Sequence, residues 1–226
     1  MSLNFDGLDD VIKRFSTATL GAIITVSAWV KLDDFGENQS GAIWQQGDQA
    51  DGARLAFRVL DNKLGVLAKG FGFGSARATQ QGRWASDDNV LMPGEWRCLA
   101  VTYDGTLTAN NPQFYRDGVP ITTNRALAPS GAMIADNETI YIGNNFGTTR
   151  SYDGLIGEVC VWKRLLLAAE VAAVCHLGVN AVPDYFDYTP FDFGCNQTFG
   201  SGGGAYVGSG PVFADNPPIR PCGRRG

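Results

Sequence analysis

The chain has 226 residues, 44% of them hydrophobic, and a formal net charge of −5. That length suits one large β domain or two small ones, and no apolar stretch approaches the roughly 18 residues that a bilayer-spanning helix needs. The acidic balance argues against broad nucleic-acid binding.

Met1-Ser2-Leu3-Asn4 leads straight into an apolar run with no basic region or cleavage site. The chain is therefore expected to be made without a signal peptide and to reach a virion or the extracellular space by another route. Short apolar runs separated by many of the 29 glycines then predict strands at residues 3–5, 23–31, 42–46, 54–59, 63–68, 95–103, 113–116, 139–142 and 154–162. Ile24-Thr25-Val26-Ser27-Ala28-Trp29-Val30 alternates as a half-buried strand requires. Asp61-Asn62, Asp104-Gly105 and above all Asp117-Gly118 supply turns, because Asp-Gly accepts the positive φ of a tight hairpin. Residues 165–177, rich in Ala and Leu, predict one helix that stops at Gly178.

Residues 1–178 thus read as an all-β, two-sheet antiparallel sandwich with one short helix. Residues 179–226 read as a C-terminal extension, with a strand near 185–193 and then a Gly- and Pro-rich arm. The arm ends in Arg220, Arg224 and Arg225, and all 23 acidic residues precede Arg220. Those three arginines are expected either to dock on an acidic partner or to remain a solvated terminus.

The five cysteines form no metal-ribbon spacing. Cys98 and Cys160, set among apolar residues, are expected to be buried thiols. Cys195 and Cys222 are the expected pair if one forms. Trp29, Trp96 and Trp162 are expected in the core. Phe71 and Phe73 alternate with glycines and Trp84 sits in a polar segment. These three rings are expected either to present a ligand- or partner-binding surface or to fold over the sheet as a lid.

Catalytic chemistry is not expected. Glu37, Glu95, Glu138, Glu158 and Glu170 are dispersed, so the carboxylate pair of a glycosidase is missing. His176 is the sole histidine and fits a helix-end cation better than a catalytic base. No cofactor is required by any motif. If calcium is held, the sequence offers Asp48 with Asp51, or Asp6 with Asp9 and Asp10, as oxygen ligands.

Several segments resemble the laminin-G-like, concanavalin A-like sandwich family. They are Phe5-Asp6-Gly7-Leu8-Asp9-Asp10, then Ile24 to Lys31, and Pro93-Gly94-Glu95-Trp96 through to Asp104-Gly105. Phe114-Tyr115-Arg116-Asp117-Gly118, Tyr152-Asp153-Gly154-Leu155-Ile156-Gly157-Glu158-Val159 and the helix with Glu170 continue the family's motif order. The resemblance covers residues 3 to 178 and implies a jelly-roll sandwich. It implies little about activity, because one sandwich hosts lectins, adhesion modules and hydrolases. Where relatives supply a calcium-binding Asp, this chain reads Gly70-Phe71-Gly72-Phe73-Gly74, taken as a loop without a carboxylate.

Two functions are expected from these features. One is a non-catalytic interaction protein, foremost a bacteriophage virion component of a head decoration or tail fibre, with capsid or tail proteins or further copies of itself as partners. The other is a stand-alone carbohydrate-binding, lectin-like module that takes a cell-surface glycan.

Overall fold

Alternation decides the architecture. Ile24, Val26, Ala28, Val30 and Leu32 share one face and join the main core, while Thr25, Ser27, Trp29 and Lys31 face the other way. Leu55, Phe57 and Val59 repeat the pattern against Ala56, Arg58 and Leu60. Strands patterned in this way hide their apolar faces by stacking two sheets face to face.

The computed structural model describes residues 2–15, 20–47, 54–61, 69–134, 139–185, 187–189 and 205–207. In chain order the strands are Leu3–Asp6 (β1), Val11–Phe15 (β2), Ile23–Asp34 (β3), Ala42–Gln46 (β4), Leu55–Leu60 (β5), Gly70–Ser75 (β6) and Gly82–Ser86 (β7). They continue as Trp96–Asp104 (β8), Gln113–Arg116 (β9), Val119–Ile121 (β10), Thr123–Leu127 (β11), Thr139–Ile142 (β12), Asp153–Trp162 (β13), Asp187–Thr189 (β14) and Ala205–Val207 (β15). One α-helix, Ala168–Leu177 (α1), follows β13.

The seven-stranded sheet runs β1-β13-β3-β8-β9-β10, and the eight-stranded sheet runs β11-β7-β6-β5-β4-β12-β2-β15. β14 pairs with Val159–Val161 of β13, on from the stretch Asp153–Ile156 that pairs with β1. The C-terminal extension therefore adds one short strand to each sheet, β14 to the smaller and β15 to the larger. Every strand pairing is antiparallel, and the result is the expected jelly-roll sandwich.

The expected hairpin at Asp117-Gly118 is present: φ is +53° and +80°, and β9 pairs with β10 across it. That pair of positive angles matches the right-handed twist of the flanking strands. Gly143 serves close approach instead. A Cβ there would stand 1.9 Å from the Phe5 ring, so only glycine lets β12 leave the sheet over that ring.

Two apolar layers result. The main core lies between the sheets and includes Phe5, Trp44, Phe57, Phe71, Phe73, Trp84, Tyr103 and Phe114. A second layer covers the back of the smaller sheet, where Ala100, Tyr115, Cys160 and Trp162 meet Val171, Val174 and Cys175 of α1. A disulfide joins Cys98 of β8 to Cys175 of α1. This corrects the expectation that Cys98 is a free thiol. Cys98 lies on the back face of β8 with Ala100, directly beneath the helix, a proximity set by packing across 77 residues. Cys160 is buried as expected. Cys195 and Cys222 lie outside the described residues.

The tryptophans also redistribute. Trp162 is fully buried, and its indole N–H donates to the Val182 carbonyl at 3.1 Å. Trp29 and Trp96 are only partly buried. They share the back face of the smaller sheet with Cys98 and Ala100 and approach each other around Gly157. The large rings of the main core are Trp44 and Trp84.

The helix starts at Ala168 rather than 165. Glu170 accepts the Leu167 N–H at 2.8 Å, which satisfies one of the orphan donors of the first turn. Arg164 grips the same carboxylate with both terminal nitrogens and also reaches Asp184. The strand–helix junction is therefore fixed by one arginine fork.

Candidate ligand-binding face

The outer face of the larger sheet follows from the same alternation. Phe57, Phe71, Phe73 and Trp84 point inward, so Ala56, Arg58, Gly72, Gly74, Arg83 and Ala85 lie outward. Register then assembles one row across six strands: Lys13, Tyr141, Gln45, Ala56, Gly74 and Arg83, each opposite the next. At the usual strand spacing the row spans about 24 Å. Its middle is small side chains and its flanks are polar or aromatic.

The Lys13 ammonium stands 5.4 Å from the Tyr141 ring centroid, and the Phe146 ring meets Tyr141 edge-on at 6.1 Å. Gln45 donates from Nε2 to the Gly47 carbonyl at 3.1 Å. Its Oε1 is buried without a hydrogen-bond partner among the described residues. Arg58, diagonal to Gln45 across Ala56, likewise has a buried Nε with no partner among the described residues. Burial lowers the Arg58 pKa to about 10, and repulsion from Arg150 and Arg83 adds to the effect. At Gly74, in the middle of the row, an added Cβ would find no atom of the described residues nearer than 3.9 Å.

Phe71, Phe73 and Trp84 are not a binding surface. Residues 70–74 are β6 in mid-sheet, not a loop, and the three rings are 0%, 2% and 1% exposed. The Gly-Phe alternation is itself a period-two strand signal: phenylalanine faces the core and glycine faces out. Phe71 packs on Phe57 and Phe114, and Tyr103 receives both Phe73 and Trp84. The Trp84 N–H donates to Asn111 Oδ1 at 2.8 Å. The positions that sequence reasoning missed are the outward ones of the same segments, Gly74 and Arg83, with Arg58 and Gln45 beside them. Their signal was a polar or small residue at every second place in an otherwise apolar strand.

Of the proposed calcium ligands, Asp48 and Asp51 lie outside the described residues, as do Arg220, Arg224 and Arg225. Asp6, Asp9 and Asp10 do converge, with carboxylate oxygens within 4.8 Å of one another. Calcium takes about six to eight oxygens. Two of these three carboxylates already accept backbone N–H groups: Asp6 from Leu8, Asp10 from Asp6. The cluster is thus a partial oxygen shell built around a turn. More acid lies nearby. Burial and the neighbouring Asp33, Asp34 and Asp6 raise the pKa of Asp153. With residues 70–74 in mid-sheet, their lack of a carboxylate has no bearing on calcium at a sandwich rim.

Cys175 is held in the disulfide, so it is no nucleophile for His176, which is exposed on the last turn of α1.

Comparison with known proteins agrees with this architecture. The structure is similar to a putative carbohydrate binding protein from Bacteroides ovatus, with a TM-score of 0.65 at 20% identity over 93% of this chain and 60% of that one. It is also similar to the heptameric SAP-like pentraxin of Limulus polyphemus, with a TM-score of 0.56 at 18% identity over 77% of this chain and 81% of that one. In sequence, 99 residues (40% of this chain) are 26% identical to neuronal pentraxin-2 of Homo sapiens. The match covers 22% of that protein, so the chain spans about a fifth of the curated relatives it matches. The family model for the concanavalin A-like lectin/glucanases superfamily matches residues 7–172, and with the two-sheet sandwich above it the chain belongs to that superfamily.

Proposed function

We propose that the chain is a non-catalytic glycan-binding module that lays a sugar chain across the outer face of its larger sheet. The observation that carries this reading is the row from Lys13 to Arg83, with two buried polar atoms, Gln45 Oε1 and Arg58 Nε, that lack partners. A buried orphan of this kind costs about 1–3 kcal/mol. Such groups are retained where something else completes them. With the side chains above them displaced, a sugar hydroxyl can donate to Gln45 and a sugar oxygen can accept from Arg58, while a pyranose ring lies along the row at Gly74.

The row also supports binding without cleavage. Glycoside hydrolysis needs two carboxyl groups about 5–9.5 Å apart astride the bond. Lys, Tyr, Gln, Ala, Gly and Arg include none. Similarity to the putative carbohydrate binding protein from Bacteroides ovatus supports the same reading. A disulfide between sheet and helix suits work in an oxidising, extracellular setting. The virion reading rests on the expected lack of a signal peptide, on free cysteines and on a basic tail; Cys98 is held in a disulfide and Arg220, Arg224 and Arg225 lie outside the described residues, so it is not adopted.

The test uses Gly74→Trp. Open space at that position lets the ring fill the row without straining the fold. On a glycan array followed by calorimetry, the wild-type chain should retain a polysaccharide. The variant should lose at least tenfold in affinity while melting at the same temperature. Equal binding by the variant would sink the proposed face, and a wild-type chain that retains no glycan would sink the function.

A further inference from the structure

We propose that Arg58, Arg83 and Arg150 make this face selective for acidic glycans, with an anionic substituent of the sugar chain seated on Arg58. The inference rests on the glycan-binding reading and names its ligand class.

The three arginines come together from separate parts of the chain. Arg58 projects from the middle of β5, opposite Ala42 on one side and Gly72 on the other. Arg83 projects from β7 opposite Gly74. The Arg150 carbonyl accepts the Ala42 N–H at 2.8 Å, which brings Arg150 to the edge of β4 beside Arg58. Gly74 leaves room beside Arg83 on this face.

Other arginines in this acidic chain find acceptors. Arg97 meets Glu95 and Asp117, Arg164 meets Glu170 and Asp184, Arg77 bonds to the Tyr103 hydroxyl and the Gly105 carbonyl, and Arg116 bonds to the Val90 carbonyl. Arg58, Arg83 and Arg150 have no carboxylate partner among the described residues. Among the described residues, Arg83 meets the side-chain amide oxygen of Gln81 once that amide is turned to face it. Three like charges on a sheltered face repel one another, and Arg58 also carries the cost of desolvation, which is why it gives up its proton more readily than a free arginine. At neutral pH Arg58 remains charged. A neutral sugar would satisfy the Arg58 Nε and leave that repulsion in place. A carboxylate or sulfate removes both penalties, because the guanidinium fork matches two oxygens of such a group.

The experiment is calorimetric titration of the full chain with three probes: oligogalacturonate, a heparin-derived oligosaccharide and neutral xylo-oligosaccharide. Arg58→Lys and Arg83→Gln are titrated in parallel, with melting temperatures as the folding control. At least one acidic probe should bind tenfold or more tighter than the neutral one, and its affinity should fall with added salt. Tighter binding of oligogalacturonate identifies a carboxylate as the seated group, and tighter binding of the heparin fragment a sulfate. Arg58→Lys, which keeps the charge and loses the fork, should weaken acidic binding at least tenfold, and so should the half-exposed Arg83→Gln. If the neutral probe binds as well as the acidic ones and Gly74→Trp abolishes that binding, the glycan-binding reading stands and acid selectivity falls. Acidic binding that both arginine variants leave unchanged overturns the inference as well. If no probe and no arrayed glycan is retained, both proposals fall together.

Discussion

At the scale of single residues, burial separates the tryptophans. Trp84 is enclosed by Phe73 and Tyr103 and its N–H is satisfied, so Trp84→Ala should cost about 3–5 kcal/mol. Trp96→Ala removes a partly exposed ring from the back of the smaller sheet and should cost distinctly less. Chemical denaturation of the two variants compares them directly; equal losses would contradict this division. Asp153 makes a second prediction. Burial first, then Asp33, Asp34 and Asp6, raise its folded pKa above the unfolded value, so the folded protein holds that proton more tightly. The ionised group therefore weakens the fold at neutral pH, and the penalty disappears as pH falls through the folded pKa and below the unfolded one. Asp153→Asn should melt higher than wild type at pH 7, with the gain shrinking toward pH 3. A variant that melts lower at pH 7 would mean that the carboxylate is stabilised by a partner such as a cation.

At the scale of elements, the helix depends on two attachments. Arg164 fixes its start through Glu170 and Asp184, and the disulfide fixes its end. The carboxylate pairing holds Glu170 and Asp184 below their usual pKa range, a contribution present at neutral pH and lost only in strong acid. Closing a loop of 77 residues restricts the unfolded chain, so replacing Cys98 and Cys175 together by alanine should cost about 2–4 kcal/mol. Since α1 covers the back of the smaller sheet, the loss should appear as a lower melting temperature with glycan affinity unchanged. A double variant that loses glycan binding while it stays folded would place the helix in the site. β6 illustrates the same economy in a strand. Its phenylalanines build the core, and Gly74 leaves room on the outer face.

For the whole molecule, both sheets receive an edge strand from the C-terminal extension, β14 on β13 and β15 on β2. Paired edges are less open to unwanted association than bare ones. A chain ended after Val207 keeps both strands and removes Arg220, Arg224 and Arg225. It should fold, melt within a few degrees of the full chain and retain its glycan. Loss of acidic-glycan binding on that truncation would transfer the anion-binding role from the sheet to the tail. Loss of self-association alone would assign the tail to assembly.

Much of the architecture was legible in the sequence by itself. Period-two alternation in residues 23–31 and 54–59, the Asp117-Gly118 turn and the family motifs each depend on neighbours along the chain, and local geometry is what they specify. The sequence also held the outward set of Gly70-Phe71-Gly72-Phe73-Gly74, but flanking glycines made it read as a loop, because a strand in mid-sheet draws its support from partners that no local pattern names. Tertiary structure alone decided the rest. It paired Cys98 with Cys175, sent Trp29 and Trp96 to the back of a sheet, and lined up Lys13, Tyr141, Gln45, Ala56, Gly74 and Arg83 from six strands. The physical reason is register. A strand fixes which of its side chains share a face, but which residue of another strand stands opposite is set by long-range hydrogen bonding, and that is what puts Arg58 and Arg83 on one face of the larger sheet.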